Sequence, residues 1–195
     1  MLYFVRHGET NWNDTANTSM RRLHGKYSEE PLNAAGRKQA FSVAKKLAVA
    51  TNGKIAAIYA NPKKRTLQTA EIIAQSFPGI AIYKSRFLDG FDFGTYNGAH
   101  VRDLPSDIMT KYQSFDNMDW KFPGGGESKN DMIKRIDSFF ADVPYAPLPI
   151  VIVCDGSLIS CMMKTCGHMR PSLKILNTEL ICFERDKNNR MTFKV

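Results

Sequence analysis

The sequence predicts a single α/β domain over residues 1–195, in which a mainly parallel central sheet has helices on both faces. Short apolar runs without turn residues, such as Leu2–Val5 and Ile150–Val153, are typical of buried strands. Such runs alternate with segments of helical periodicity, and this alternation favours a parallel sheet between two layers of helices. The 195 residues are 43% hydrophobic and contain no linker, repeat or low-complexity tract, so one core of ordinary size is expected.

The elements follow in the order strand, loop, helix, strand, helix, strand, after which a long irregular insert is predicted over residues 88–126. Residues 128–140 are predicted to form a helix, because they begin with the spacing of a Ser-x-x-Asp cap. A further helix is predicted from Ser157 onward. Residues 179–184 and 190–195 flank a polar turn and predict a terminal hairpin.

The first chemical motif, Arg6-His7-Gly8-Glu9, lies where the first predicted strand ends. Ligands of open α/β sheets collect at the carboxyl ends of strands. A neutral imidazole held there can attack phosphorus, and an adjacent guanidinium can bind two phosphate oxygens through its planar set of donors. A chance surface pair of Arg and His is the alternative, since a four-residue match alone is weak evidence.

A second basic group follows a later strand. The strand-like segment 54–60 ends in Asn-Pro, and a helix is predicted to begin with Arg65 in its first turn. One face of this helix is apolar at helical spacing, at Leu67, Ala70, Ile73 and Ala74. A helix N-terminus attracts anions through its unpaired N–H groups and its dipole, so this position suits phosphate binding. The alternative is that Lys63, Lys64 and Arg65 form a solvated charge cluster.

Together these two segments resemble the histidine phosphatase superfamily, in the branch of cofactor-dependent phosphoglycerate mutases and small-molecule phosphatases, and the resemblance covers nearly the whole chain. Residues 22–40, RLHGKYSEEPLNAAGRKQA, are similar to the substrate loop of this family and the start of the next helix. Residues 88–98, LDGFDFGTYNG, resemble its acidic motif, and residues 122–128, FPGGGES, resemble its Pro-Gly-Glu-Ser loop. Residues 151–159, VIVCDGSLI, fall where the family usually has a second histidine.

The resemblance implies that His7 is the nucleophile that accepts the phosphoryl group. It also implies that Arg6, Asn13 and Arg65 bind the non-bridging oxygens and stabilise the charge that spreads over them in the transition state. Because guanidinium groups supply the positive charge that magnesium supplies in other phosphoryl-transfer enzymes, no metal or other cofactor is expected.

One departure from the family pattern lies at Gly90, where the resemblance places the glutamate that protonates the leaving group. Glycine cannot donate a proton. General acid catalysis contributes roughly a hundredfold to ten-thousandfold, so its loss slows phosphoryl transfer without abolishing it. Asp89, Asp92 and Glu127 are the candidate replacements. The alternative for the two aspartates is a turn role, since Asp beside Gly readily binds its own backbone.

The second departure is Asp155, at the position where the family usually has a histidine that donates to the phosphate. A carboxylate about 4 Å from a phosphate charge is repelled by about 4 kcal/mol at an effective dielectric of about 20. Three interpretations stay open. Asp155 binds a proton when phosphate is present and acts as a donor or as the missing acid; it pairs with Arg6 or Arg65 and holds the pocket closed; or it is an introduced substitution in an enzyme that had histidine.

The three other histidines, His24, His100 and His168, are candidates for the missing imidazole. His24 is the best placed of them, because it lies with Gly25 in the segment that is similar to the substrate loop. An ordinary surface histidine is the alternative interpretation for each.

The formal net charge of +8 favours an anionic phosphorylated small molecule as the partner, because a basic protein attracts it. Nucleic acid is not expected, since the basic residues are scattered and no nucleic-acid-binding motif is present. No membrane partner is expected, since the chain has no amphipathic basic helix and no lipidation signal. The chain enters its first strand without a basic leader, and Asp155 interrupts the apolar run 149–163, so a cytoplasmic location is expected. No motif specifies an oligomeric state.

These observations predict a phosphohydrolase that acts on a phosphomonoester through a phosphohistidine at His7. Hydrolysis is favoured over mutase activity, because the chain lacks the longer insertions that the resemblance implies around a mutase site. Two alternatives remain. One is a catalytically degenerate family member that binds a phosphorylated ligand or a protein partner, and the other is an enzyme of altered chemistry that uses Asp155 as acid or base.

Overall fold

The strands of the computed structural model form one mixed sheet, and the model describes residues 1–14, 16, 18–114, 116–168, 175–188 and 190–194. Six strands lie within these ranges: β1 (Leu2–Arg6), β2 (Ala57–Ala60), β3 (Ile82–Lys84), β4 (Ile150–Cys154), β5 (Leu180–Arg185) and β6 (Met191–Lys194). Their spatial order is β3-β2-β4-β1-β5-β6. The first four strands are parallel, and β5 and β6 are antiparallel to their neighbours. The predicted mainly parallel sheet and terminal hairpin are confirmed, although Val195 lies outside the described residues.

Five α-helices connect or follow these strands in the described part of the chain: α1 (Ala34–Ala50), α2 (Lys64–Ala74), α3 (Ser106–Gln113), α4 (Lys129–Asp142) and α5 (Gly156–Thr165). Helix α1 begins after Asn33, whose side chain accepts a hydrogen bond from the N–H of Gly36. Helix α4 has the predicted cap, in which Ser128 and Asp131 each bind the backbone of the other. The sequence therefore specifies where both helices start.

Alternating residues of the central strands bury opposite faces of the sheet. Phe4 of β1 packs on the side of α4 and α5, where it contacts Phe183 edge to face at 5.1 Å. Val5 packs with residues of α1 and α2 on the other side. Because a strand exposes successive side chains to opposite faces, this pattern confirms that helices cover both sides of the sheet.

The insert over residues 88–126 differs from the irregular segment predicted for it. It contains α3 and three-residue turns of 3₁₀ helix, and it folds around Phe122, which is almost fully buried. Helix α3 has only eight residues, and only Ile108 among them is fully buried. Such a short helix carries too little periodicity to be recognised in the sequence.

None of the helices in the described residues combines the length and apolarity that a bilayer crossing requires.

Candidate functional site

The parallel pairing of β1 with β4 brings the two ends of the candidate site together. Arg6 pairs with Cys154 in the register of the two strands, and the N–H of His7 donates to the carbonyl of Cys154 at 3.0 Å. His7 and Asp155 therefore leave the sheet side by side at the carboxyl ends of adjacent strands. The Nε2 atom of His7 lies 3.3 Å from Oδ1 of Asp155.

The ring of His7 is held in one orientation and is 1% exposed. Its Nδ1 lies 2.7 Å from the carbonyl oxygen of Gly8, which can only accept, so Nδ1 is the donor of this bond and Nε2 is the nitrogen that faces Asp155. Burial lowers the pKa of His7, and the hydrogen bond with Asp155 opposes this shift. A side chain at Gly8 would come within 2.4 Å of the carbonyl oxygen of Gly36, so glycine permits the close approach of α1 to this loop.

Arg65 and Asp155 form a buried bidentate ion pair. Arg65 is 0% exposed, and its Nε and Nη2 atoms donate to the two oxygens of Asp155 at 2.9 Å each. Asn61 donates to the same carboxylate at 3.0 Å, and Nη1 of Arg65 donates to the carbonyl of Ser28 at 3.0 Å. Burial alone would raise the pKa of Asp155, but the Arg65 charge and the His7 hydrogen bond outweigh it and hold that pKa well below its usual range.

Arg6 does not share in this pair. Its Nη1 atom donates to the carbonyl of Ile175 at 2.6 Å, and its Nε atom is buried without a partner among the described residues. The Nδ2 atom of Asn13 is likewise buried without a partner among the described residues, while Oδ1 of Asn13 accepts from the N–H of Thr10 at 2.8 Å. Buried donors without partners are costly and rare in folded proteins. Both residues line one cavity of about 620 Å³, together with His7 and Asp155, so this cavity offers donors to an acceptor-rich ligand.

His24 lies in the site, as its position in the sequence predicts. Its ring meets the ring of His7 edge to face at 5.4 Å and stacks on Trp12 at 5.5 Å. Both of its nitrogens are engaged, Nε2 with the hydroxyl of Thr10 at 2.9 Å and Nδ1 with the hydroxyl of Ser28 at 3.2 Å. Burial holds the pKa of His24 well below that of free imidazole, so the neutral ring forms part of the cavity wall.

The backbone of Gly90 and Gly25 covers the Arg65–Asp155 pair. A β-carbon at Gly90 would lie 3.0 Å from Oδ2 of Asp155, 3.2 Å from Nη2 of Arg65 and 3.2 Å from the carbonyl oxygen of Gly25. Gly25 itself has a φ of +54°, and a β-carbon there would come within 2.0 Å of the Asn97 side chain. Any side chain at position 90 would therefore touch the ion pair directly.

Asp92 and Glu127 are engaged in structural contacts and are not among the described residues that line the cavity. Asp92 accepts from Lys26 at 2.8 Å and from the N–H of Gly94 at 3.0 Å. Burial raises the pKa of Asp92, but its hydrogen bonds outweigh burial and lower it overall. Glu127 is bound by Arg135 at 2.8 and 3.0 Å. The hydrogen bond that Asp92 accepts from the N–H of Gly94 is a turn contact, so it agrees with the alternative interpretation of Asp92 as a turn residue.

Asp89 is also outside the described lining of the cavity, but its environment differs from that of Asp92. It is 8% exposed, and its Oδ1 atom is buried without a partner among the described residues. Burial raises the pKa of this carboxyl group. Its backbone carbonyl accepts from Arg135 at 3.0 Å. Of the two aspartates, Asp89 therefore has the carboxyl group that binds a proton more readily.

Sequence reasoning missed the residues that the 88–126 insert and the start of α4 add to the cavity. Tyr112 of α3 and Lys129 of α4 line it, as do Phe91 and Phe93. Tyr112 and Lys129 are far from residues 6–9 in the chain, and no local pattern marks them. Phe91 and Phe93 lie within the segment LDGFDFGTYNG, where the sequence marks only the aspartates as candidates.

A family model and curated relatives match most of the chain. A family model described as the histidine phosphatase superfamily (branch 1) matches residues 2–192. The phosphoglycerate mutase-like protein 4 of Arabidopsis thaliana is 31% identical over 202 residues, covering 100% of this chain and 83% of its own length. The probable phosphoglycerate mutase GpmB of Escherichia coli is 31% identical over 169 residues, covering 84% of this chain and 73% of its own length.

Solved structures show the same fold. Bacillus stearothermophilus YhfR has a TM-score of 0.76 at 26% identity, with 100% of this chain and 94% of that chain covered. A mycobacterial glucosyl-3-phosphoglycerate phosphatase has a TM-score of 0.76 at 21% identity, with coverage of 100% and 96%. At 21% identity the second likeness shows the fold alone.

Proposed function

Because this chain belongs to the histidine phosphatase superfamily (branch 1), we propose that it hydrolyses a phosphomonoester through a phosphohistidine at His7. The observation that carries the proposal is the orientation of His7. The bond from Nδ1 to the Gly8 carbonyl holds the ring so that Nε2 points toward the cavity at the end of β1, where the Asp155 carboxylate lies 3.3 Å away in the ligand-free protein. A nucleophile held in one orientation and in the neutral state is what in-line attack on phosphorus needs.

The chemistry divides into two steps. In the first, Nε2 of His7 forms a bond to phosphorus, the P–O bond to the alcohol breaks, and the leaving oxygen takes a proton. In the second, water attacks the phosphohistidine, phosphate leaves, and the imidazole is regenerated. Arg6, Asn13 and Arg65 stabilise the charge on the non-bridging oxygens in both steps.

Asp155 is the proposed proton carrier. It takes the place of the glutamate and the histidine that the family pattern has at positions 90 and 155. A phosphate dianion that reaches Arg65 displaces the Asp155 carboxylate from the guanidinium. The displaced carboxyl group then lies beside like charge, which raises its pKa and favours proton binding. Protonated Asp155 donates to the leaving oxygen in the first step, and the resulting carboxylate accepts a proton from water in the second.

A second candidate function is binding of a phosphorylated ligand without turnover. The observation that favours it is the Arg65–Asp155 pair itself, since the carboxylate makes two of the contacts that phosphate oxygens need. If phosphate does not displace Asp155, the ligand contacts Arg6, Asn13 and the first turn of α5 without reaching Arg65.

The two candidates are separated by an assay of the full chain and three variants on a panel of phosphomonoesters. His7→Ala removes the nucleophile, Asp155→His supplies the imidazole that is usual in the family, and His168→Ala is a control, because His168 stacks on Phe193 at 4.1 Å outside the cavity lining. Hydrolysis by the parent and the control, its loss in His7→Ala, and an acid-labile phosphoprotein trapped on the parent and the control but not on His7→Ala support hydrolysis.

Turnover by Asp155→His alone supports the binding function. No turnover in any protein, with binding of inorganic phosphate retained, overturns the hydrolase proposal.

A further inference from the structure

The cavity is far larger than a phosphate group requires. Its volume of about 620 Å³ lies within the 300–1,000 Å³ range of sites that enclose a whole organic ligand. His7, Arg6 and Asn13 account for the phosphoryl group, so the rest of the cavity encloses the alcohol portion of the substrate. The residues that line this remainder decide which alcohol fits.

One wall of the cavity is carbon-rich and belongs to the insert and the substrate-loop segment. Leu23, Phe91, Phe93, Val101, Met109 and Tyr112 contribute to it, while Arg21, Arg22, Gln113 and Lys129 line other parts of the cavity. A hydroxyl that faces the apolar wall finds no partner there, and a buried hydroxyl without a partner costs free energy. An apolar body loses nothing here and gains by leaving water.

The aromatic part of the wall is rigid. The rings of Phe91, Phe93 and Tyr112 contact one another at centroid distances of 5.3 to 5.8 Å. Each also packs on Phe122, at 5.1 to 5.7 Å. Edge-to-face and tilted ring contacts of this kind are favourable and directional, so the wall keeps its shape without a ligand. A preformed wall binds a rigid ring with a small loss of conformational entropy.

Tyr112 is also tied to the elements beside it. Its hydroxyl makes a hydrogen bond with the side chain of Ser157, in the first turn of α5. The Nζ atom of Lys129 lies 5.7 Å from its ring centroid and donates to the carbonyl of Ser114 at 2.8 Å. The apolar wall is therefore joined to the helix that begins directly after Asp155.

We infer that the substrate is a phosphomonoester whose alcohol carries an apolar, ring-shaped body, which binds against the Phe91–Phe93–Tyr112 wall. This inference rests on the proposed function for the phosphoryl end of the ligand. It concerns the opposite end, and binding of non-hydrolysable analogues tests it independently of turnover.

The test titrates the full chain calorimetrically with three phosphonates, in which a C–P bond replaces the ester. These are 2-phenylethylphosphonate, butylphosphonate and 2,3-dihydroxypropylphosphonate. The ring compound is expected to bind about tenfold more tightly than the alkyl compound, and the diol most weakly. Met109→Gln and Val101→Thr, which make half-buried positions of the wall polar, are expected to remove most of this preference.

Met118→Gln is the matched control, because Met118 is a half-buried methionine of the same insert that is not among the described residues lining the cavity. It should retain the preference. Equal affinity of the parent for the ring and alkyl compounds overturns the inference, as does a preference unchanged by both wall variants.

Turnover of 2-phenylethyl phosphate and butyl phosphate, whose alcohols are similarly poor leaving groups, completes the test. A ring preference in binding without turnover of either ester supports the cavity inference and counts against the proposed hydrolysis. Turnover of both esters at equal kcat/KM, with equal phosphonate affinities, overturns the inference and leaves the hydrolase proposal standing.

Discussion

The carboxylate of Asp155 forms a bidentate ion pair with the guanidinium of Arg65, whose Nε and Nη2 atoms each donate to one of its oxygens at 2.9 Å. Planar bidentate pairing of this kind is also how arginine binds phosphate. The same carboxylate lies 3.3 Å from Nε2 of His7. The ligand-free protein therefore carries an anion of its own at the place where the family motif predicts a phosphoryl group.

Asp155→Asn is expected to destabilise the ligand-free protein. Removing one partner of a buried ion pair leaves the other charge uncompensated, which costs about 3 kcal/mol in the free energy of unfolding. Urea denaturation at pH 7 measures the change. Asp103→Asn removes a carboxylate that is 63% exposed and paired only on the surface, and it should stay within about 0.5 kcal/mol of the parent. Equal stability of the two variants would show that the Arg65 pair contributes little.

The same variant is expected to bind inorganic phosphate more tightly than the parent. Phosphate must displace the Asp155 carboxylate in the parent, whereas in Asp155→Asn the charge of Arg65 has no competing anion. An affinity gain of about tenfold corresponds to 1.4 kcal/mol, well within the interaction energy of a buried charge pair. Calorimetric titration at constant ionic strength measures it. Weaker binding by the variant would mean that Asp155 contacts phosphate favourably, as a protonated donor.

Stability should depend on pH below about 4 through Asp155. Its pKa in the folded state is held well below the unfolded value of about 3.9, so its stabilising effect is complete above that value and declines as pH falls further. The slope is at most about 1.4 kcal/mol per pH unit for one group. Arg65, Asn61 and the rings of His7 and His24 face this carboxylate. Urea denaturation from pH 7 to pH 3 should give parallel curves for the parent and Asp155→Asn above pH 4, which converge below it. Curves that stay parallel to pH 3 would contradict the lowered pKa.

Substitutions at Gly90 and Asp155 should have strongly coupled effects on the free energy of unfolding. A side chain at position 90 meets Oδ2 of Asp155 at 3.0 Å from its first carbon, so Gly90→Glu sets a second carboxylate against the first. The expected loss exceeds 2 kcal/mol in the parent, because like charges at this distance repel strongly in a buried site. In the Asp155→His background the loss should be much smaller. A double-mutant cycle on the free energy of unfolding measures the coupling, and additive effects within about 0.5 kcal/mol would refute it.

The positions of Arg6, His7 and Arg65 in the fold could be predicted from the sequence, because local rules place them. An apolar run that ends in Arg6 and His7 predicts a strand end, and Arg65 in the first turn of α2 follows from the Asn-Pro break before it. Which of the two arginines pairs with Asp155, Arg6 or Arg65, could not be predicted. It depends on side-chain reach in three dimensions, and Arg6 instead binds the carbonyl of Ile175.

The apolar wall of the cavity could not be predicted either. Phe91 and Tyr112 lie on different elements, and their contact at 5.8 Å depends on the path of the whole insert. The short helix α3 carries little periodic signal of its own. For Asp92, by contrast, the neighbouring glycine already indicated the turn that the structure contains.

The position of β1 in the sheet has a consequence for how the protein is made. Of the six strands, β1 is synthesised before the others, yet its two neighbours in the sheet are β4 and β5, which follow it by more than 140 residues. Until those strands are synthesised, β1 has both edges unpaired, and such strands are prone to intermolecular pairing. Strands β1 and β4 must pair before His7 and Asp155 lie side by side, so a nascent chain that lacks β4 does not yet contain this arrangement. Premature truncation therefore removes the site entirely, even though its first residues are already present.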